Sequence, residues 1–324
     1  MLLLDEIRNP IKTEMQQFEK HFRSSMKSNI PLLNIITKYI LRIKGKQIRP
    51  MLVFLTAGMT GDIASSTFNA SSFIELLHTA SLIHDDVVDD SYERRGFLSI
   101  NALWKSKISV LLGDYLLAQG LLLAVKENEY ELLQYVSDAV REMSEGELLQ
   151  IQKSRKLNIT KQEYFDIIRK KTAALFAACA ACGAWSSTRD RSVASQLLLF
   201  GEKVGMAFQI KDDLFDYHKK GIIGKPTGND IKEKKFTLPL IHSLEKCPYE
   251  ERKRILHTIR KHNNNSRKVQ EVISFAIDHG GIEFSEKMMN SFRDEALGIL
   301  NTFPDNEYRS SLIKLVNYVV DRKK

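Results

Sequence analysis

Proline and glycine are scarce in this chain, 7 and 16 of 324 residues, and cysteine is scarcer still at three. So few helix breakers argue against a turn-rich all-β design and suit long helices. Three cysteines argue against a disulfide framework and point to a reducing compartment, the cytoplasm by default. Cys179 and Cys182 do form a CxxC. Set in "AALFAACAACGAW", they read as small residues of a buried helix, because no histidine or second cysteine pair completes a redox or zinc site. Long apolar runs are missing too. None reaches the ~18 residues that a bilayer crossing needs, and the nearest, "VLLGDYLLAQGLLLAV", is interrupted by Asp114, Gln119 and Gly120. The opening "MLLLDEIRNP" has neither the basic start nor the apolar length of a secretion signal. The net charge of +8 suggests an anionic partner. Basic patches interleaved with aromatics are absent, so nucleic acid is not expected.

What is present is helical periodicity over almost the whole length. Phe73, Leu76, Leu77, Ala80, Ile83 and Val87 recur at intervals of three and four. Thr160 and Glu163 form a capping box that opens a helix expected to run to Gly183. "SQLLLFGEKVGMAFQIKDDLFDYHKKG" predicts another, stopping at Gly221. Loops are expected at 153–158, at 262–266 and over "KKGIIGKPTGNDIKEKKFTLP" (219–239). The last is long for a compact domain and rich in lysine and glycine, a composition suited to phosphate oxygens. The expected fold is all-α, a single domain over residues 1–324.

Two acidic clusters stand out. "LIHDDVVDD" carries Asp85, Asp86 and Asp89, and "QIKDDLFDY" carries Asp212, Asp213 and Asp216, each a DDxxD. On a helix, positions i and i+4 share a face, so Asp85 pairs with Asp89 and Asp212 with Asp216. Like charges at that spacing are unfavourable. Both clusters also fall late in their helices, at the negative end of the helix dipole. A cation must offset these costs. Carboxylates without nearby cysteine or histidine clusters favour a hard, oxygen-loving ion, and magnesium shares itself between carboxylates and phosphates. The pattern therefore suggests a diphosphate held by magnesium.

At this point the chain resembles the trans-isoprenyl diphosphate (polyprenyl) synthases along nearly its full length. "GKQIRP" (45–50), "LHTASLIHDDVVDDSYERRG" (77–96), "GELLQ" (146–150), "KT" (171–172), "FQIKDDLFD" (208–216) and "GKPTGNDIKEKKFTLPL" (224–240) follow in the order of that family's motifs. The C-terminal "NYVVDRKK" has the usual basic end. One departure is "WKSK" (104–107), where Gly-Asn would be expected after the aromatic residue. The resemblance implies antiparallel helices around a deep central cavity, a homodimer, and head-to-tail condensation of isopentenyl diphosphate with an allylic diphosphate such as farnesyl diphosphate. It also implies roles. Asp85, Asp89 and Asp212, then Asp86, Asp213 and Asp216, would hold Mg2+, three ions with bound diphosphate. Arg94, Lys171, Lys225 and Lys235 would hold that diphosphate directly. Lys46, Arg49, His78 and Arg95 would bind isopentenyl diphosphate, and Thr172 and Gln209 would turn oxygens toward the allylic cation.

The helix of the first motif would also line the product cavity. Ser81 and Ala80 lie about 6 and 7.5 Å below Asp85 at ~1.5 Å per residue. Both are small, where a ring would block the growing tail. Leu77, Leu76 and Phe73 come next, and "AALFAACAACGAW" supplies more small residues. A long product is expected, about C30 to C50, of the kind used as quinone side chains, with farnesyl- or geranylgeranyl-length synthesis as the alternative. Other readings are weaker. An HD-type phosphohydrolase would use the His84–Asp85 pair but leaves the second DDxxD unexplained. A regulatory subunit of a heterodimer would be expected to have lost the acidic motifs.

Overall fold

The computed structural model describes residues 2–43, 45–94, 96–217 and 228–322. Almost all of them are helical, as the scarcity of proline and glycine predicts. The chain order begins with α1 (Leu2–Arg8), a 3-10 turn (Asn9–Ile11), α2 (Lys12–Ser25), α3 (Pro31–Arg42), α4 (Ile48–Thr60) and α5 (Ser65–Val88). A two-residue hairpin, β1 (Glu93–Arg94) against β2 (Phe97–Leu98), leads to α6 (Ile100–Lys126), α7 (Tyr130–Lys156) and α8 (Lys161–Ile168). After a π-helical turn (Arg169–Ala173) come α9 (Ala174–Thr188), α10 (Arg191–Phe215), α11 (Asn229–Lys232), α12 (Leu238–Lys246), α13 (Tyr249–His262), α14 (Ser266–Asp278), α15 (Gly281–Leu300) and α16 (Glu307–Asp321). Two compact units result. The first comprises Met1–Ser137, Ala178–Leu198 and Phe303–Leu312; the second comprises Asp138–Ala177, Leu199–Thr302 and Ile313–Lys324.

In the first unit α5 and α6 pack closely. The apolar stripe read from the sequence is the buried face of α5: Phe73, Leu76, Leu77, Ala80 and Ile83 are all inside. Opposite them α6 buries Leu112, Leu116, Gly120 and Ala124. A Cβ on Gly120 would come within 2.9 Å of the Phe73 ring, so the missing side chain is what lets the two backbones approach. The α6 segment is long and apolar enough to cross a membrane by length and composition. The sequence reading stopped at its polar interruptions. Its buried face against α5 makes it a core helix of this unit, while Leu111, Leu121, Leu122 and Val125 remain exposed.

Several boundaries differ from expectation, each for a packing reason. The helix opened by the Thr160–Glu163 capping box does not end at Gly183 but continues to Thr188. A Cβ at Gly183 would sit 2.3 Å from the Val53 carbonyl oxygen and 2.0 Å from Thr56 Oγ1, so this glycine serves contact with α4, not termination. Cys179 and Cys182 are fully buried beside it, as read, and burial pushes the Cys179 thiol up to about 12. Part of the expected loop at 153–158 is helix: α7 runs through Lys156, and Lys153 pairs with Glu163. The loop at 262–266 is the short link between α13 and α14. The helix expected to stop at Gly221 ends earlier, at Phe215, because Asp216 turns its carboxylate onto the backbone of Gly228–Asp230. Of the expected loop 219–239, residues up to 227 lie outside the described residues, and the remainder contains α11 and the start of α12.

The "WKSK" departure has a structural counterpart. Lys105 interrupts α6 with φ 69° and ψ 163°, a region that essentially only glycine occupies without strain. A glycine at that point would relieve it. We expect Lys105→Gly to raise thermal stability by about 1 kcal/mol or more. Thermal unfolding of the two proteins side by side checks this, and an unchanged or lowered midpoint would show the position to be unstrained.

Candidate active site

In the first unit the acidic cluster ends α5, as its sequence position implies. The helix stops at Val88, Asp89 occupies the C-cap, and Asp90 turns the chain away at φ 47°. The carboxylates here are not equivalent. Asp85 is half-buried and Asp89 is exposed. Asp86 is 2% exposed and takes both Arg94 Nε and Arg94 Nη2 at 2.7 Å on its Oδ1. The hairpin makes this pair possible, since β1 folds back and returns Arg94 to the helix it has just left. Arg95, beside it, lies outside the described residues.

A cleft of about 90 Å³ opens along the Asp86 face of α5. Gly45, Gln47, His78, Asp86 and Arg94 give it a polar end, and Phe22, Ile40, Leu82 and Ile83 an apolar wall. The "GKQIRP" segment enters the site through a tight turn. Gln47 caps α4 in the left-handed region, φ 54°, and Pro50 falls in the first helical turn, where its missing N–H costs nothing. Arg8 braces the turn by donating to the Lys46 carbonyl at 2.7 Å. Arg49 Nη1 donates to His78 Nε2 at 2.9 Å, joining two residues read as substrate-binding. Ser81 donates to the His78 carbonyl at 2.9 Å, so Ser81 presents little beyond its small size. Ala80, Leu77 and Phe73 lie buried on the face of α5 away from this cleft.

In the second unit the acidic cluster again closes a helix, α10 ending at Phe215. The π-helical turn at Arg169–Ala173 interrupts the preceding long helix where Lys171 and Thr172 stand. One extra residue per turn re-aims side chains, and such bulges often mark functional positions. Thr172 Oγ1 donates to Gln209 Oε1 at 2.7 Å, and Gln209 Nε2 donates to Asp213 Oδ1 at 2.8 Å. Tyr164 donates to the other Asp213 oxygen at 2.6 Å. Lys171 pairs with Glu147 of the "GELLQ" segment and reaches Gln150 at 3.4 Å. Asp216 accepts the backbone N–H groups of Gly228, Asn229 and Asp230 at 2.9 to 3.0 Å and so caps the start of α11. Gly228 is required there: its φ is 81°, and a Cβ would lie 2.3 Å from Val269 Cγ1 on α14. Lys235 pairs with Glu233 at 2.5 Å, and Lys225 lies outside the described residues.

Asp212 takes a partner that the sequence reading did not assign. Arg322, just past the end of α16, donates to Asp212 Oδ1 at 2.6 Å. The only sequence signal was the basic C-terminus. Tyr164 was missed as well, because a lone tyrosine in a helix gives no hint of the carboxylate it will meet 49 residues later.

Among the described residues no three acidic, imidazole or thiol groups already converge as a metal cage. The donors are carboxylate oxygens at the ends of apolar helices. Burial pushes the carboxyls of Asp213, Asp216 and Asp230 up, and neighbouring acidic groups add to the effect. Excess negative charge of this kind fits a hard divalent ion that completes its shell with water and phosphate oxygens, as magnesium does.

An all-helical scaffold that ends two of its helices in DDxxD defines an isoprenoid synthase class of enzyme. The family model described as polyprenyl synthetase matches residues 30–276. The octaprenyl diphosphate synthase of Escherichia coli K12 is 32% identical, over 98% of this chain and 99% of that one. A polyprenyl synthase from Caulobacter crescentus CB15, solved with calcium and isoprenyl diphosphate, superposes with a TM-score of 0.91 at 30% identity, covering 99% and 98% of the two chains. A geranylgeranyl pyrophosphate synthase from Bacteroides thetaiotaomicron gives 0.85 at 36% identity, covering 99% and 100%. The chain belongs to the polyprenyl synthetase family and is a prenyltransferase.

The raised carboxyls give a pH signature. Each binds its proton more tightly folded than unfolded, so the metal-free fold should lose stability as pH rises from the ordinary carboxylate range toward neutrality. Thermal unfolding in chelator over about pH 5.5 to 7.5 should show a falling midpoint, flattened in Asp213→Asn. An equally steep fall in that variant would place the titrating group elsewhere.

Proposed function

We propose that the protein joins isopentenyl diphosphate head-to-tail to an allylic diphosphate, farnesyl diphosphate being the expected primer, and releases an all-trans-polyprenyl diphosphate of about C30 to C50. The paired DDxxD motifs in a chain of this family carry the reading. The whole chain acts as one catalytic domain in the cytoplasm. Magnesium, three ions when diphosphate is bound, supplies the positive charge that lets the allylic C–O bond break. Asp85, Asp89 and Asp212 would be its first ligands, followed by Asp86, Asp213 and Asp216. Of these six, Asp86, Asp212, Asp213 and Asp216 already accept side-chain or backbone hydrogen bonds.

Arg94, Lys171, Lys225 and Lys235 grip the departing diphosphate, with Arg94 and Lys171 exchanging their carboxylate partners for phosphate oxygens. Lys46, Arg49, His78 and Arg95 take the diphosphate of the second substrate. The Thr172 hydroxyl proton is committed to Gln209, so its oxygen turns lone pairs, not a proton, toward the allylic cation. As the new C–C bond forms, a proton leaves the former isopentenyl unit. Among the described residues no side chain of the site is an evident base for it, and the released diphosphate takes it.

Small residues at Ala80 and Ser81 support a long product. A shorter one, near C20, is the second reading: Phe73 is the first ring on that face, and its contact with Gly120 holds it about 18 Å below Asp85 at ~1.5 Å per residue. Product length from labelled isopentenyl diphosphate and farnesyl diphosphate with Mg2+ decides between them. Wild type should run past about C30 and Ala80→Phe should stop several units shorter. If wild type stops at C20 and Phe73→Ala lengthens the product, the second reading replaces the first. Absence of any magnesium-dependent condensation would remove both. Asp85→Asn should lower turnover on the order of 100-fold or more.

A homodimer is part of the proposal. The exposed Leu111, Leu121, Leu122 and Val125 of α6 form an apolar face of the kind that mediates association. Leu122→Glu should therefore halve the mass seen by light scattering, and a mass unchanged from wild type would move the interface elsewhere.

A further inference from the structure

The Arg322 guanidinium is nearly sealed from solvent, with its side chain 6% exposed, although it ends the last described turn of the chain. A buried guanidinium stays charged, so it is tolerated only where partners are fixed around it. Its partners are specific. Nη2 donates to Asp212 Oδ1 at 2.6 Å and to the Phe208 carbonyl at 3.0 Å, and Nε donates to the Val319 carbonyl at 3.2 Å. The guanidinium lies over the Phe208 ring, 4.0 Å from its centre, with Phe215 5.4 Å away. The cation is thus held by the Val319 carbonyl of α16 and by the Phe208 carbonyl and the Phe208 and Phe215 rings of α10, the helix that carries Asp212. It cannot follow the carboxylate if the carboxylate moves, so the carboxylate is held to it.

We propose that Arg322 is the positioning residue of the second acidic motif: by fixing Asp212 Oδ1 it sets the carboxylate direction in which a magnesium ion is met. The proposal rests on the reading of Asp212 as a metal ligand. Docking of the C-terminal helix and loading of the ion then become one coupled event. The cation also offsets the repulsion that Asp213 and Asp216 exert on Asp212 before any metal arrives.

The test is Mg2+ titration of the full-length protein in the presence of inorganic diphosphate, followed by calorimetry, with steady-state kinetics alongside. Arg322→Met should weaken Mg2+ binding about tenfold. Arg322→Lys keeps the charge but not the planar fork, and should recover only part of the loss. The KM for isopentenyl diphosphate should stay within about twofold of wild type in both. Leu315→Ala, a buried residue of α16 on a different turn from Arg322, serves as the control for simple loosening of that helix. It should lower the unfolding temperature without changing Mg2+ affinity. Arg322 variants that lose stability but keep wild-type Mg2+ affinity would reduce the residue to a helix anchor and overturn the proposal. Tighter Mg2+ binding in Arg322→Met would overturn it too, making Arg322 a competitor of the ion. If wild type itself binds no Mg2+ with diphosphate, the reading of Asp212 as a ligand falls instead.

Discussion

Negative charge gathered at the negative end of a helix is the constraint around which both units are arranged. Neither α5 nor α10 gains stability from its terminal aspartates, since dipole and neighbours both oppose them. The surrounding elements respond one carboxylate at a time. A hairpin returns Arg94 to Asp86. A tyrosine and a glutamine amide converge on Asp213. Backbone N–H groups close on Asp216, and the end of the chain places an arginine on Asp212. Asp85 and Asp89 are the less enclosed members of the first cluster. Local folds that would otherwise look unrelated, a hairpin, a π turn and a terminal helix, all meet acidic groups.

This explains what was legible in the sequence and what was not. Period and composition are local, so the all-helical class, the buried stripe of α5 and the position of both acidic clusters at helix ends could be read directly. The order of motifs then identified the family. Partners of the aspartates could not be read, because Tyr164 and Arg322 meet them through tertiary packing. The π turn was hidden for a related reason: "RKKTA" has an ordinary helical composition, and only its surroundings impose the extra residue.

Glycine misled in one place and informed in another. Gly183 invites a helix stop, yet its role is to admit the backbone of α4. The same applies to the run of alanines and cysteines around it, whose small size serves close helix contact. Such residues report the spacing between helices before they report the width of a cavity. Gly120 is the instructive case, because its bare backbone leaves room for the Phe73 ring in the core. A ruler for product length could then be reset by a residue that never touches product.

The bond pattern at Asp216 carries a consequence for the lysine-rich segment. Its carboxylate is shared property: the same two oxygens that a cation would seek already anchor the backbone from Gly228 to Asp230. Anything that draws those oxygens outward must loosen the start of the segment leading to Lys232, Lys234 and Lys235. By reciprocity, whatever anion settles on those lysines and stiffens the backbone must alter the grip on the cation by the same factor. Two ligands of opposite charge would in that way sense each other through a single turn of main chain, with no moving domain required.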